Sequence, residues 1–162
     1  MKRFLFIAVL MVVAFCGKAQ SVTMNDLTNL TNLDNDEAHN YLASGKKFKL
    51  TAEQIVNGLP VQDYRDTRVN SPQIEKVTVG MGVKGADGSL LRTVTYTTNQ
   101  SSFIQNLMNQ AYDAKMNITF RGNDKYKYIY IYNSFLYIVS IYVNRDQSSS
   151  VVKIQQKDLP SY

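Results

Sequence analysis

The alternation of apolar and polar positions is sharpest between Lys125 and Val143, where the chain reads KYKYIYIYNSFLYIVSIYV. Two runs of tyrosine and β-branched residues flank Asn133-Ser134. That composition is typical of strands, and a two-residue break opened by asparagine predicts a hairpin turn. The register that follows pairs Tyr132 with Phe135, Tyr130 with Tyr137, Tyr128 with Val139 and Tyr126 with Ile141. On the other face Ile131 meets Leu136, Ile129 meets Ile138, and Lys127 meets Ser140. Side chains alternate along a strand, so one face is expected to be aliphatic and the other a tyrosine ladder.

Upstream, Met24, Leu27 and Leu30 recur at helical spacing behind Thr23, an expected N-cap. A second helix start is read at Asp34, with Asp36 and Glu37 suited to the positive end of the helix dipole. Its stripe is Ala38, Tyr41 and Leu42, and Gly45 stands where a left-handed residue could close it. Lys46 to Leu50 reads as a strand with Phe48 and Leu50 inward. Thr51-Ala52-Glu53-Gln54 fits a capping box, predicting one helical turn that ends at Gly58. An edge strand is expected around Val61 to Tyr64, inside a polar surface excursion bracketed by Pro60 and Pro72.

Ile74 to Val83 and Leu90 to Thr97 are expected strands joined through Asp87-Gly88. Val77, Val79, Met81 and Val83 fall on one face. Gly80 and Gly82 mark a bulge or a place where another backbone passes closely. Asn99 to Lys115 is the clearest helix, with Asn99 as its N-cap and rows Phe103, Leu107, Ala111 and Ile104, Met108, Tyr112. Asn117 to Arg121 and Val151 to Gln156 complete the strands. The fold class expected is α+β, an antiparallel sheet with helices on one face. The order hints at two helix-then-strands repeats, and the aliphatic face (Ile129, Ile131, Leu136, Ile138) is expected under the helices.

The first twenty residues change the charge picture. Met1-Lys2-Arg3 precedes an apolar run from Phe4 to Cys16, and Gly17-Lys18-Ala19 leads to Gln20-Ser21. This is the pattern of a secretory signal peptide, too short to span a bilayer. A cut after Ala19 or Gln20 leaves roughly 142 residues, one domain over 21–162. The rival is a lipid anchor on Cys16, which the bulky Phe15 before it disfavours. The full chain carries +5, from eighteen basic and thirteen acidic residues. Losing Lys2, Arg3 and Lys18 leaves fifteen cations against thirteen acids, a balance of +2. That removes any case for a nucleic-acid partner from charge. The remaining chain has no cysteine, so neither disulfides nor thiol chemistry are expected, and no membrane span follows Cys16.

Candidate chemistry is sparse. His39 is the single histidine and reads as a surface side chain, since metal sites and triads need further partners. Asp34-Asn35-Asp36-Glu37 lacks the register of a calcium loop, and Gly80-Met81-Gly82-Val83-Lys84-Gly85 lacks the ending of a phosphate loop. No cofactor or metal is expected. Asp63, Asp66 and Glu75, in a stretch read as loop, are the only carboxylates offered for glycoside hydrolysis. Tyrosine supplies stiff, amphipathic contact area, which makes Tyr126, Tyr128, Tyr130 and Tyr137 the candidate binding residues.

The segment NLDNDEAHNYLASGKKFKL, after a signal ending KAQ, resembles the start of small secreted Gram-negative bacterial proteins of a domain-of-unknown-function type. The element order is similar in outline to the β-lactamase inhibitor protein fold. Neither resemblance carries a catalytic motif or transfers a functional residue. The expectation is a secreted or periplasmic non-catalytic module that binds a protein or cell-envelope component. An inhibitor of an envelope hydrolase, or a small hydrolase using loop carboxylates, is the alternative.

Overall fold

The computed structural model describes residues 21–68 and 73–159. The expected signal segment, Cys16 and Pro72 therefore lie outside the described residues. Helix α1 (Met24–Leu30) opens on a capping box in which the Thr23 side chain accepts from the Asp26 amide and Asp26 accepts from the Thr23 amide. Helix α2 (Asn35–Asn40) repeats the device with Asp34 and Glu37. It then widens into a π-helical turn over Tyr41–Gly45. The left-handed residue after it is Lys47, not Gly45.

Eight strands follow: β1 (Phe48–Val56), β2 (Leu59–Asp66), β3 (Glu75–Lys84), β4 (Leu90–Thr98), β5 (Asn117–Asn123), β6 (Lys127–Asn133), β7 (Tyr137–Asn144) and β8 (Ser150–Gln156). Helix α3 (Ser101–Asp113) lies between β4 and β5. All strands pair antiparallel in one sheet of order β1-β2-β3-β4-β8-β7-β6-β5. Two four-stranded meanders, each entered from a helix, thus meet along β4 and β8. The α+β architecture and the doubled helix-then-strands order are as the pattern predicts.

Three local expectations fail. Thr51 to Gln54 is strand, because β1 continues to Val56 and pairs along β2 before the chain reverses at Asn57-Gly58. Cross-strand pairing there outweighs the capping-box signal, and β2 becomes an interior strand while β1 forms the edge. Asn99 does not cap α3. Its Oδ1 accepts from the Ile74 amide, and the cap position falls to Gln100. The hairpin turns at Phe135-Leu136 instead of Asn133-Ser134, with the Ser134 amide donating to the Tyr137 carbonyl at 2.9 Å. Tyr132 therefore meets Val139, and Tyr130 meets Ile141, four residues from the predicted register. An even slip leaves the paired side chains on their predicted faces, while Phe135 and Leu136, expected on the tyrosine and aliphatic faces, move into the turn and are exposed.

The larger correction concerns which face the helices cover. The core gathers Leu27, Leu30, Leu42, Ile104 and Leu107 from the helical layer with Tyr64, Val77, Tyr96, Val152, Ile141 and Tyr132 from the sheet. Register places Leu50, Tyr64, Val77, Tyr96, Val152, Ile141 and Tyr130 in one row across the strands. The helices thus lie on the tyrosine face of β6, and Ile129, Ile131 and Ile138 are on the uncovered side. The central strands decide this. Strand β4 is apolar on one face through Val94 and Tyr96 and threonine on the other through Thr93, Thr95 and Thr97, and β8 buries Val152 and Ile154 on the same face as Val94 and Tyr96. A helical layer must bury that single apolar face, whatever the outer strands prefer.

Candidate functional site

The tyrosine ladder divides when placed in space. Tyr128, 45% exposed, lies on the helical side of β6, and Tyr126, 66% exposed, lies in the turn that leads into that strand. Lys125 lies 5.3 Å from the Tyr126 ring centre, and Arg145 lies 5.3 Å from that of Tyr128. Tyr130 and Tyr137 are half-buried against the core. The Tyr137 hydroxyl accepts from Asn32 Nδ2 at 3.0 Å. The four candidate residues therefore do not form one flat surface.

Tyr130 belongs instead to a cleft of about 290 Å³ between α3 and the outer strands β5 and β6. Helical periodicity explains it. Phe103, Ile104, Leu107 and Ala111 bury toward the sheet, so the adjacent stripe Gln105, Met108, Asn109 and Tyr112 is turned toward β5 and β6, where it faces Ile118, Arg121, Tyr130 and Tyr132. The Arg121 guanidinium lies 5.7 Å from the Tyr130 ring centre. Burial pushes the Tyr132 phenol above its ordinary range, Tyr130 adds to that, and Arg121 opposes it. The apolar stripe of the sequence pattern includes Met108 and Tyr112; Met108 packs against the core, but Tyr112 is 74% exposed. Their neighbour β6 lies too far out on the sheet for the helix to close over it.

The uncovered face has two halves. Toward β1, Lys49, Arg65, Lys76, Thr97, Asp63, Thr78, Thr95 and Lys153 alternate across neighbouring strands. Toward β5, Phe120, Ile129, Ile131, Ile138, Tyr142 and Val151 form a contiguous apolar area. Lys127 reaches over the Tyr142 ring at 5.9 Å. Met81 and Val83, expected on one face with Val77 and Val79, are exposed while those two are buried. A bulge after Thr78 switches their face.

The three candidate carboxylates all lie on strands. Asp66 is held by Arg68 through its guanidinium and backbone amide, with Nη2 at 2.6 Å. Glu75 accepts from Ser21 and from the Tyr96 hydroxyl at 2.8 Å. Both are buried on the helical side. Asp63 lies on the opposite face, paired with Lys76 at 2.8 Å and accepting from Thr78 Oγ1 at 2.6 Å. Burial alone would raise Asp63 and Asp66, but their cationic and hydroxyl partners outweigh it and hold both below the usual carboxylate range. The three thus do not open together onto a cleft. His39, read as a surface side chain, is half-buried, with Nδ1 3.1 Å from the Tyr64 hydroxyl. Burial, with Glu53 and Asp36 adding to it, pushes the Tyr64 phenol up to about 12.

Among the described residues no group of three or more His, Cys, Asp or Glu could hold a metal ion. No helix among them is long and apolar enough to cross a membrane. Comparison of this chain with protein-family models, with curated proteins and with solved structures gives no match.

Proposed function

We propose that this chain is a secreted or periplasmic, non-catalytic binding module that holds a protein or cell-envelope component against the uncovered face of its sheet. The carrying observation is the apolar area of Phe120, Ile129, Ile131, Ile138, Tyr142 and Val151, which no helix covers and which adjoins a cationic half. Phe120 is 48% exposed and the other five are half-buried among their neighbours, and apolar sheet area that no helix covers is where partners dock. The flanking Lys49, Arg65, Lys127 and Lys153 favour a partner with an acidic rim, through complementary potentials that act mainly on association rate. Tyr128 is on the opposite side of β6, with Tyr126 in the turn before it, and neither is part of this surface.

The test is a paired pull-down from an envelope fraction with the tagged mature chain. The Ile131→Thr/Ile138→Thr double variant keeps β-branched side chains and should move the melting temperature by only a few degrees. It is expected to lose whatever the wild type retains, while Tyr126→Ser/Tyr128→Ser keeps it. Retention by the isoleucine variant and loss by the tyrosine variant would transfer the contact to the tyrosines and overturn this assignment.

A further inference from the structure

The cleft between α3 and the outer strands lies on the other side of the sheet from the proposed docking face and does not depend on it. We propose that it is a saccharide subsite, and that the sugar it takes carries a carboxylate, as a uronic acid does. The aromatic, amide and guanidinium side chains that line it supply the chemistry. Tyr112 is 74% exposed on the helix and Tyr130 is half-buried on the strand, giving two aromatic walls of the kind that pack on a sugar ring. Gln105 and Asn109, one helical turn apart, are joined by a 3.1 Å hydrogen bond that orients both amides at the rim. A side-chain amide offers a donor and an acceptor together, which matches vicinal hydroxyls.

Two features point to a ligand beyond shape. Tyr132 is 4% exposed, yet neither its hydroxyl nor that of Tyr130 has a hydrogen-bond partner among the described residues. Both residues line the cleft, and the Tyr132 hydroxyl is not among the enclosed unpaired atoms, so it is open to donate to or accept from what enters. Arg121 lines the same cleft, stacks on Tyr130 and makes no ion pair among the described residues. A guanidinium held this way presents its fork to a carboxylate. The phenols and amides favour a polyhydroxylated ring over an acidic peptide, which would use Arg121 but leave those groups unmatched.

The experiment is calorimetric and NMR titration of the mature chain with trigalacturonate, its methyl ester, the glucuronate disaccharide of hyaluronan and N-acetylmuramic acid. A polyglutamate peptide and acetate are the controls. At least one uronate or muramate should bind and shift the ring signals of Tyr130 and Tyr132, and neutralisation of its carboxylate should weaken it about tenfold. Arg121→Gln should abolish the preference for the acid form over the ester. Tyr112→Ala should weaken both forms about fivefold, and Tyr132→Phe, which removes only a hydroxyl, about threefold with no loss of thermal stability. Failure of every sugar to bind, equal binding by acetate or polyglutamate, or indifference of binding to Tyr132→Phe and Arg121→Gln would each overturn the proposal. The isoleucine variant of the docking face should bind the sugar normally, which keeps the two readings separable.

Discussion

Asp26 ties the N-terminal helix to everything around it. Its carboxylate accepts from the Thr23 amide at 2.7 Å, the Thr23 hydroxyl at 2.9 Å, Lys46 Nζ at 2.8 Å and the Tyr41 hydroxyl. Burial alone would raise this carboxyl, but Lys46, Tyr41 and Thr23 together hold it below the ordinary range. The same contact, added to burial, pushes the Tyr41 phenol up to about 12. A carboxylate depressed in the folded state adds stability that is present above its unfolded pKa of about 3.9 and is lost as pH falls through the folded value. Asp63 and Asp66 are shifted in the same direction, so acid unfolding should begin below about pH 4. Asp26→Asn should cost roughly 2–3 kcal/mol at pH 7 and flatten that acid limb. Urea titrations at pH 7 and pH 3 check both, and an unchanged difference between the two pH values would contradict this account. The sequence showed Thr23 as a cap because cap signals are local. It hid the reach of Lys46 and Tyr41 to Asp26, which depends on how the π-helical turn delivers them.

Turns and bulges decide which side an element's residues face, and here the pattern was readable only in part. Helix spacing located α1, α2 and α3 because amphipathic periodicity is carried within each segment. The β6–β7 strands were equally plain, but their turn was not. Ser134 and Tyr137 close it through reciprocal bonds, Ser134 amide to Tyr137 carbonyl and Tyr137 amide to Ser134 Oγ, a preference no turn dipeptide announces. Gly80 is where the sequence pattern predicts a bulge or a close backbone approach, and the structure has both there. This glycine has φ +88°, and an added Cβ would stand 2.1 Å from the Pro60 carbonyl oxygen, which also accepts from Asn35 Nδ2 at 2.7 Å. Gly58 has a similar φ of +79° but open space around it. Gly58→Ala should therefore show conformational strain alone, about 1–2 kcal/mol, and Gly80→Ala the same plus a backbone clash, roughly 2–4 kcal/mol in all. Equal midpoints for the two variants in urea would mean that the strand shifts freely away from Pro60 and that the bulge does not fix α2 against the sheet.

At the scale of the molecule, the doubled order raises the question of whether the two meanders are independent. The doubling is legible in the sequence through element order alone, helix then strands twice over. Which outer face stays bare is not legible in β6, which is apolar on both sides; the central strands settle it by burying Val94, Tyr96, Val152 and Ile154 on one face. The halves join where β4 pairs with β8, through Val94 with Ile154 and Tyr96 with Val152, and all four of those side chains are buried. Helix α1 touches β4, α3 touches both β4 and β8, and α1 touches α3, so the helical layer is shared across the seam. Removing one half would strip the core from the other, and a shared core of this kind makes unfolding all-or-none. Urea unfolding should therefore give one transition, coincident by far-ultraviolet circular dichroism and tyrosine fluorescence. The β4–β8 seam closes over a long stretch of chain, so refolding should be slow, on the millisecond-to-second scale of sheet-rich domains. Val152→Ala, at the seam, should cost about 2 kcal/mol of unfolding free energy and move the single midpoint lower without splitting it. Two separated transitions, in the wild type or in that variant, would show that each meander stands alone and that the seam is a contact between independent units.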